Sequence, residues 1–189
     1  VTTNATGTGA PDGTVAVMSR HDLRSTIRAD LEANRRSPKG KVAVVGFRLA
    51  HAARGDGPRR WWSLPVLVLY RLVVDWIMGI EIPAGVRAGP GLAVFHGTGL
   101  VVHSGTRIGA GVTLRQGTTI GARGHGDGPD GQAPVLGDGV DVGVGALVIG
   151  PWTVGDGAVI GAGAVVVSDV PAGATVVGNP ARVISSSTD

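Results

Sequence analysis

An aliphatic residue returns every six positions along much of this chain. Val102, Ile108, Leu114 and Ile120 keep that spacing, and so do Leu136, Val142, Val148, Val154, Ile160 and Val166. Six is neither the period of a helix nor the alternation of a plain strand. It describes a very short strand, a tight corner and another short strand, with the aliphatic side chain pointing inward. Gly109, Gly121, Gly137, Gly143, Gly155 and Gly161 directly follow six of these residues, where a side chain would crowd the corner. Three such segments close one turn of a β-solenoid. A single turn cannot bury its own aliphatic face, so turns must stack. The predicted fold is mainly β, a parallel β-helix over residues 80–184, preceded by a short α-helical region over residues 19–79.

Thirty-three glycines and eleven prolines would suggest a flexible linker without this period; with it they are corners. The absence of cysteine excludes disulfides, thiolate metal sites and a cysteine nucleophile, and fits a cytoplasmic protein. Val1 to Arg20 has no apolar core segment, so no secretory signal is expected there. Residues 1–18 read as a disordered tail and residues 185–189 as a C-terminal tail. The formal charge is +3 and the pI about 10.2. Much of the excess lies early, from Arg20 to Arg60, but Asp22, Asp30, Glu32 and Asp56 interrupt it. No stacking platform accompanies the basic run, so no nucleic-acid partner is expected and the run reads as a solvated helix face.

Three helices precede the solenoid. Ser19 caps the first, Leu23, Ile27 and Leu31 form its apolar side, and it should end near Ser37, before Pro38. Val42 to Ala53 is the second, although its valines also suit a strand. Leu64 to Met78 is the third, apolar almost all round, with Arg71 and Asp75 spaced to pair. It reads as a buried or subunit-facing helix, too short and too charged to span a bilayer. Surface attachment through this helix and Trp61–Trp62 is the lesser alternative.

Three features break the regular pattern. His96, in Phe95-His96-Gly97-Thr98-Gly99, interrupts the aliphatic ladder, and a neutral imidazole there can accept a proton near neutral pH. Glu81 lies about one turn earlier, where a carboxylate beneath a histidine would orient the ring. Residues 122–135, with His125 and Gln132 among them, form a loop leaving one corner, the kind of excursion that often builds a binding face. Taken singly, His96 also suits a structural role, Glu81 a solvent-facing strand position and His125 an exposed loop. The histidines lack the spacing of a metal cluster, so no metal is expected.

Several stretches resemble the hexapeptide-repeat acyltransferases, and among them the serine O-acetyltransferase family. They are Gly79-Ile80-Glu81-Ile82-Pro83, His96-Gly97-Thr98-Gly99, Thr113-Leu114-Arg115-Gln116-Gly117-Thr118-Thr119-Ile120-Gly121, Asp169-Val170-Pro171 and Val177-Gly178-Asn179-Pro180-Ala181-Arg182-Val183. The resemblance covers about residues 28–184. It implies a left-handed solenoid, a homotrimer with its site between neighbouring subunits, and acetyl-coenzyme A as cosubstrate. His96 is then the general base and Glu81 its orienting acid, where the family often has aspartate. The cosubstrate positions correspond to Gly121, Ala122, Val144, Gly145 and Ala162, with Arg182 near the phosphates.

The departures bear on the acceptor. Phe95 stands where serine acetyltransferases usually carry aspartate, and Gln132-Ala133-Pro134 replaces Arg-His-Pro. A neutral pair cannot clamp a carboxylate bidentately. The sequence therefore looks closer to the exopolysaccharide branch of the family, of the colanic-acid type. A sugar hydroxyl is the expected acceptor, with Phe95, Gln116, His125 and Gln132 around it. A secondary-metabolite alcohol, L-serine, an amino-sugar nitrogen and a non-catalytic trimeric scaffold are the alternatives.

Overall fold

The computed structural model describes residues 20–55, 61–123 and 133–186, with side chains from residue 23 onward. Three helical stretches lead into a left-handed parallel β-helix. Its strands are β1 (Ile80–Glu81), β2 (Arg87–Ala88), β3 (Ala93–Phe95), β4 (Leu100–Val102), β5 (Arg107–Ile108), β6 (Thr113–Arg115), β7 (Thr119–Gly121) and β8 (Val135–Leu136). They continue as β9 (Asp141–Val142), β10 (Leu147–Ile149), β11 (Thr153–Val154), β12 (Val159–Ile160), β13 (Val165–Val166), β14 (Ala174–Val177) and β15 (Arg182–Ser186). Through β13, strands three apart in sequence pair in parallel, giving three sheets: β1-β4-β7-β10-β13, β2-β5-β8-β11 and β3-β6-β9-β12-β14. β15 then folds back antiparallel on β14 and closes the third sheet.

All ten aliphatic residues of the six-residue ladder are buried. A second buried residue lies two positions before most of them, as in Val112–Leu114, Thr118–Ile120, Ala146–Val148 and Ala158–Ile160. Residues two apart on a strand share a face, so each strand puts one larger and one often smaller side chain into the narrow prism. Fully burying each valine, leucine or isoleucine stabilises by about 1.5–3 kcal/mol.

Register shows where the repeat departs from regularity. Ile80 pairs with Leu100, a turn of twenty residues; Val101 pairs with Thr119, a turn of eighteen. Thr119 pairs with Leu147, a turn of twenty-eight, and Leu147 with Val165, eighteen again. The twenty-eight-residue turn contains the loop expected between Gly121 and Leu136. The twenty-residue turn contains His96: inward-facing Val94 and Val102 are eight apart, whereas Leu114 and Ile120, directly above, are six apart. The six-residue phase already runs through Ile82, Ala88 and Val94, all buried, and the longer corner resets it.

The helices differ from expectation at their boundaries. α1 (Arg20–Ala33) stops four residues before Ser37, and α2 (Pro38–Arg54) starts at the proline. Ser37 Oγ accepts from Gly40 N at 3.1 Å, so Ser37 caps the second helix rather than ending the first. Pro38 fits the first helical turn because its missing N–H would have no partner there. α3 (Ser63–Tyr70) is short, and a π-helical segment (Arg71–Ile77) continues it to the first strand. Arg71 and Asp75 do pair, at 3.6 Å. The expected burial of this helix is not seen within the chain: Leu64, Val68, Leu69, Leu72, Trp76 and Ile77 are exposed.

The helices seal the open end of the solenoid. Among the described residues no strand lies beneath β2 and β3, and a buried backbone edge needs hydrogen-bond partners. Asn34 Nδ2 donates to Leu92 O, and its Oδ1 accepts from Val94 N, each at 2.8 Å. Ser37 Oγ donates to Val94 O at 3.0 Å. Asp30 Oδ1 accepts from Gly91 N and Leu92 N. Arg48 Nη1 and Nη2 donate to Ala88 O and Gly89 O, while Arg48 Nε donates to Asp30 Oδ2 at 2.8 Å. Arg48 and Asp30 are therefore buried, not part of a solvated basic face.

Candidate active site

His96 sits on the corner from β3 in the third sheet to β4 in the first. Its φ is +62°, and it is the only non-glycine residue with a positive φ among those described. The left-handed region crowds any Cβ, so such a residue marks stored strain. Two very tight turns make the corner: Gly97 N donates to Phe95 O at 2.7 Å and Thr98 N to His96 O at 2.9 Å. Gly97 has φ +65°, and a Cβ there would lie 2.6 Å from Ile80 Cδ1. The two extra residues and the glycine let His96 stand out from the prism, exposed. Lys39 Nζ of α2 donates to Thr98 Oγ1 and ties the corner to the helices.

Glu81 is exposed on β1. It is not beneath the histidine in register, because its partner above is Val101. The two segments still meet: Gly99 N donates to Gly79 O at 2.7 Å, and Gly97 packs on Ile80. The corner carrying His96 thus seats on the two residues leading into Glu81.

Gln116 lies on the turn above the His96 corner, stacked over Thr98, since Gly117 N donates to Thr98 O. Its Oε1 is buried and accepts no hydrogen bond among the described residues. A buried carbonyl oxygen without a donor is costly, so Gln116 presents an unused acceptor at the corner that holds the histidine. Val144 and Ala162 continue the same corner on the next two turns, with Gly145 beside them: Gly145 N donates to Gln116 O and Gly163 N to Val144 O. Val144 and Ala162 are exposed, and a Cβ at Gly145 would meet nothing within 4 Å. His96, Gln116, Val144, Gly145 and Ala162 therefore line one edge of the solenoid, open and small-sided above the histidine.

Gly121 and Ala122 fall elsewhere. They lie at the opposite edge of the first sheet, where β7 gives way to the loop, with His103 one turn below Gly121. Within one chain the positions expected to meet the cosubstrate therefore divide between two corners. Arg182 is exposed on β15 at the far end, its Nη1 donating to Ala181 O. Phe95 is half-buried at the end of β3, beside Arg115, whose guanidinium pairs with Asp141 and donates to Val142 O. His125 and Gln132 lie outside the described residues.

The sequence marked Asp75 only as a partner for Arg71 and did not single out Tyr70. Asp75, on the π-helical segment, has its carboxyl pushed up to about 6, chiefly by burial; Arg71 opposes this and the charge of Glu81 adds to it. Tyr70 is buried, donates to Ile82 O at 2.6 Å, and has its phenol pushed well above the ordinary range by that burial. The charges of Asp75 and Glu81 thus act on one another between the helical cap and the candidate site. A spacing rule shows only that Arg71 reaches Asp75, not that Asp75 is buried.

No protein-family model matches the chain. The chain is 36% identical over 159 residues, 82% of its length and 96% of the relative's, to the protein named "Putative colanic acid biosynthesis acetyltransferase WcaB" of Escherichia coli K12. It is 43% identical over 145 residues, 77% of its length and 81% of the relative's, to a serine acetyltransferase of Helicobacter pylori. Among solved structures, the soybean serine acetyltransferase apoenzyme superposes with a TM-score of 0.75 at 35% identity, covering 86% of this chain and 69% of that one. The stacked corners, the strained histidine and these relatives agree: the chain belongs to the serine acetyltransferase family of hexapeptide-repeat acyltransferases and is an acyl-transferring enzyme.

Proposed function

We propose that the protein transfers an acetyl group from acetyl-coenzyme A to a hydroxyl of a sugar or exopolysaccharide intermediate. The observation that carries this reading is His96, held at a positive φ on a corner lengthened by two residues, with the open acceptor of Gln116 on the turn above. His96 takes the proton of the bound hydroxyl as its oxygen attacks the thioester carbonyl. Glu81 stabilises the imidazolium that results. A backbone amide at Gly121 or Ala122 faces the oxyanion of the tetrahedral intermediate. The C–S bond then breaks, and the imidazolium returns its proton to the coenzyme thiolate. Because Gly121 and His96 lie on opposite edges of one sheet, the working site pairs the His96 corner of one subunit with the Gly121 corner of the next in a closed three-fold ring. The slender arm of the cosubstrate runs up the small-sided edge past Val144, Gly145 and Ala162, toward Arg182.

The near full-length match to a protein named for colanic acid biosynthesis supports a glycan acceptor. The neutral residues Phe95, Gln116, Gln132 and Ala133 suit an uncharged alcohol better than an amino acid. L-Serine is the second reading, favoured by the higher identity to a serine acetyltransferase.

Thiol release from acetyl-coenzyme A, measured with serine and with a panel of sugars and nucleotide sugars, decides between them. Release with a sugar, falling about 100-fold or more in His96→Ala, is the expected result. Release with serine alone would replace the acceptor, and turnover unchanged in H96A would remove the mechanism.

A further inference from the structure

The third helix and the π-helical segment carry an apolar stripe on their outer side. Trp61, Leu64, Val68, Leu72 and Trp76 recur at three- and four-residue steps, with Leu69 and Ile77 beside them. Trp61 is 83% exposed, Trp76 78% and Ile77 79%. The stripe runs on into a groove of about 490 Å³ between α2 and α3, lined by Leu31, Val42, Val45, Leu49, Leu69 and Val73. Contiguous apolar surface of this kind marks an interaction site.

Charge identifies the occupant. Residues 20–79 carry twelve arginines and lysines against five acidic residues; the rest of the chain carries five against nine. Arg59 and Arg60 immediately precede Trp61. The Arg71 side chain, next to Leu72, is 75% exposed although it pairs with Asp75. A two-fold contact between copies would set one basic region against another, whereas anionic headgroups complement it. Tryptophans at both ends of the stripe, with aliphatic residues between, suit the boundary between headgroups and acyl chains. No helix among the described residues is long and apolar enough to cross a membrane. We infer that the helical region docks on the surface of an anionic lipid bilayer, with the stripe from Trp61 to Ile77 lying in the interface.

The test uses the full chain and does not depend on acyl transfer. Sedimentation is measured with vesicles of phosphatidylcholine alone and with vesicles containing about 30% phosphatidylglycerol. Binding about ten-fold stronger to the anionic vesicles, weakening as salt is raised, is the expected result. The double variant Trp61→Ala, Trp76→Ala should lose about ten-fold or more of that binding and keep the solution mass of the wild type. Tryptophan fluorescence of the unaltered protein gives a readout free of folding defects: a blue shift with anionic vesicles, and quenching by brominated acyl chains. No binding, equal binding to both vesicles, or binding untouched by the double substitution overturns the inference. So does a fall in oligomeric mass in the double variant while wild-type protein ignores vesicles, which would assign the stripe to a second copy.

Discussion

At the scale of the residue, His96 joins chemistry to backbone strain. A left-handed backbone costs an ordinary residue about 1–2 kcal/mol, and glycine escapes most of that cost. Reactivity and stability should therefore separate at this position. H96A and H96G should both lose acetyl transfer, but H96G should be the more stable of the two by about 1 kcal/mol, read as the difference between their thermal or urea midpoints. Equal stability would mean that the corner relaxes once the imidazole is gone. Histidine, flanked by glycine and breaking the aliphatic ladder, was legible in the sequence as a candidate base. Its φ was not, because the period shows that a corner exists and not how the corner turns.

At the scale of the element, α2 and β3 hold the His96 corner from behind. Gly40, in the first turn of α2, lies so close to β3 that a Cβ would stand 2.2 Å from Val94 O and 2.4 Å from Asn34 Oδ1. Alanine usually favours a helix over glycine by about 1 kcal/mol, yet here it must push α2 off the strand that leads into His96. Gly40→Ala should lower stability by about 2 kcal/mol net, a fall of roughly 4–8 °C in Tm, and reduce turnover with it. A rise in Tm would show that the helix moves freely against the solenoid. The sequence resolved this region least well. Ser37 and Pro38 support either the end of one helix or the start of the next, and only the bond from Gly40 N to Ser37 Oγ decides it. Arg48 and Asp30 read as surface charges because their partners, the carbonyls and amides of Ala88 to Leu92, lie about forty to sixty residues away.

At the scale of the whole molecule, the solenoid keeps two kinds of register. Inward residues keep the six-residue step through most of the stack, while added length leaves at corners. The loop after Gly121 adds ten residues to its turn, as the pairings of Arg107 with Val135 and of Val135 with Val154's neighbour Thr153 show by their separations of twenty-eight and eighteen. Deleting residues 124–133 restores the eighteen-residue step. Closing so short a path costs little, so the variant should fold with Tm changed by about 4 °C or less and lose about ten-fold or more of its turnover on the preferred acceptor. A collapsed fold would mean that the loop is structural; full turnover would place the acceptor elsewhere. The repeat made the solenoid and the site of this excursion readable, since period and glycine corners are local properties. The exposure of the third helix was not readable, because an apolar sequence fits a core, a subunit contact or a lipid surface alike.

A stack of parallel strands has no natural length. Each new turn leaves the same unsatisfied edge that the last one filled, which is how fibres grow. Here growth is refused at both limits by different means. At one, Asn34, Ser37 and Arg48 spend side-chain donors and acceptors on the edge that another turn would take. At the other, β15 reverses direction and offers the third sheet an antiparallel edge out of step with the coil. The size of this enzyme is thus set by its two stoppers and not by its repeat.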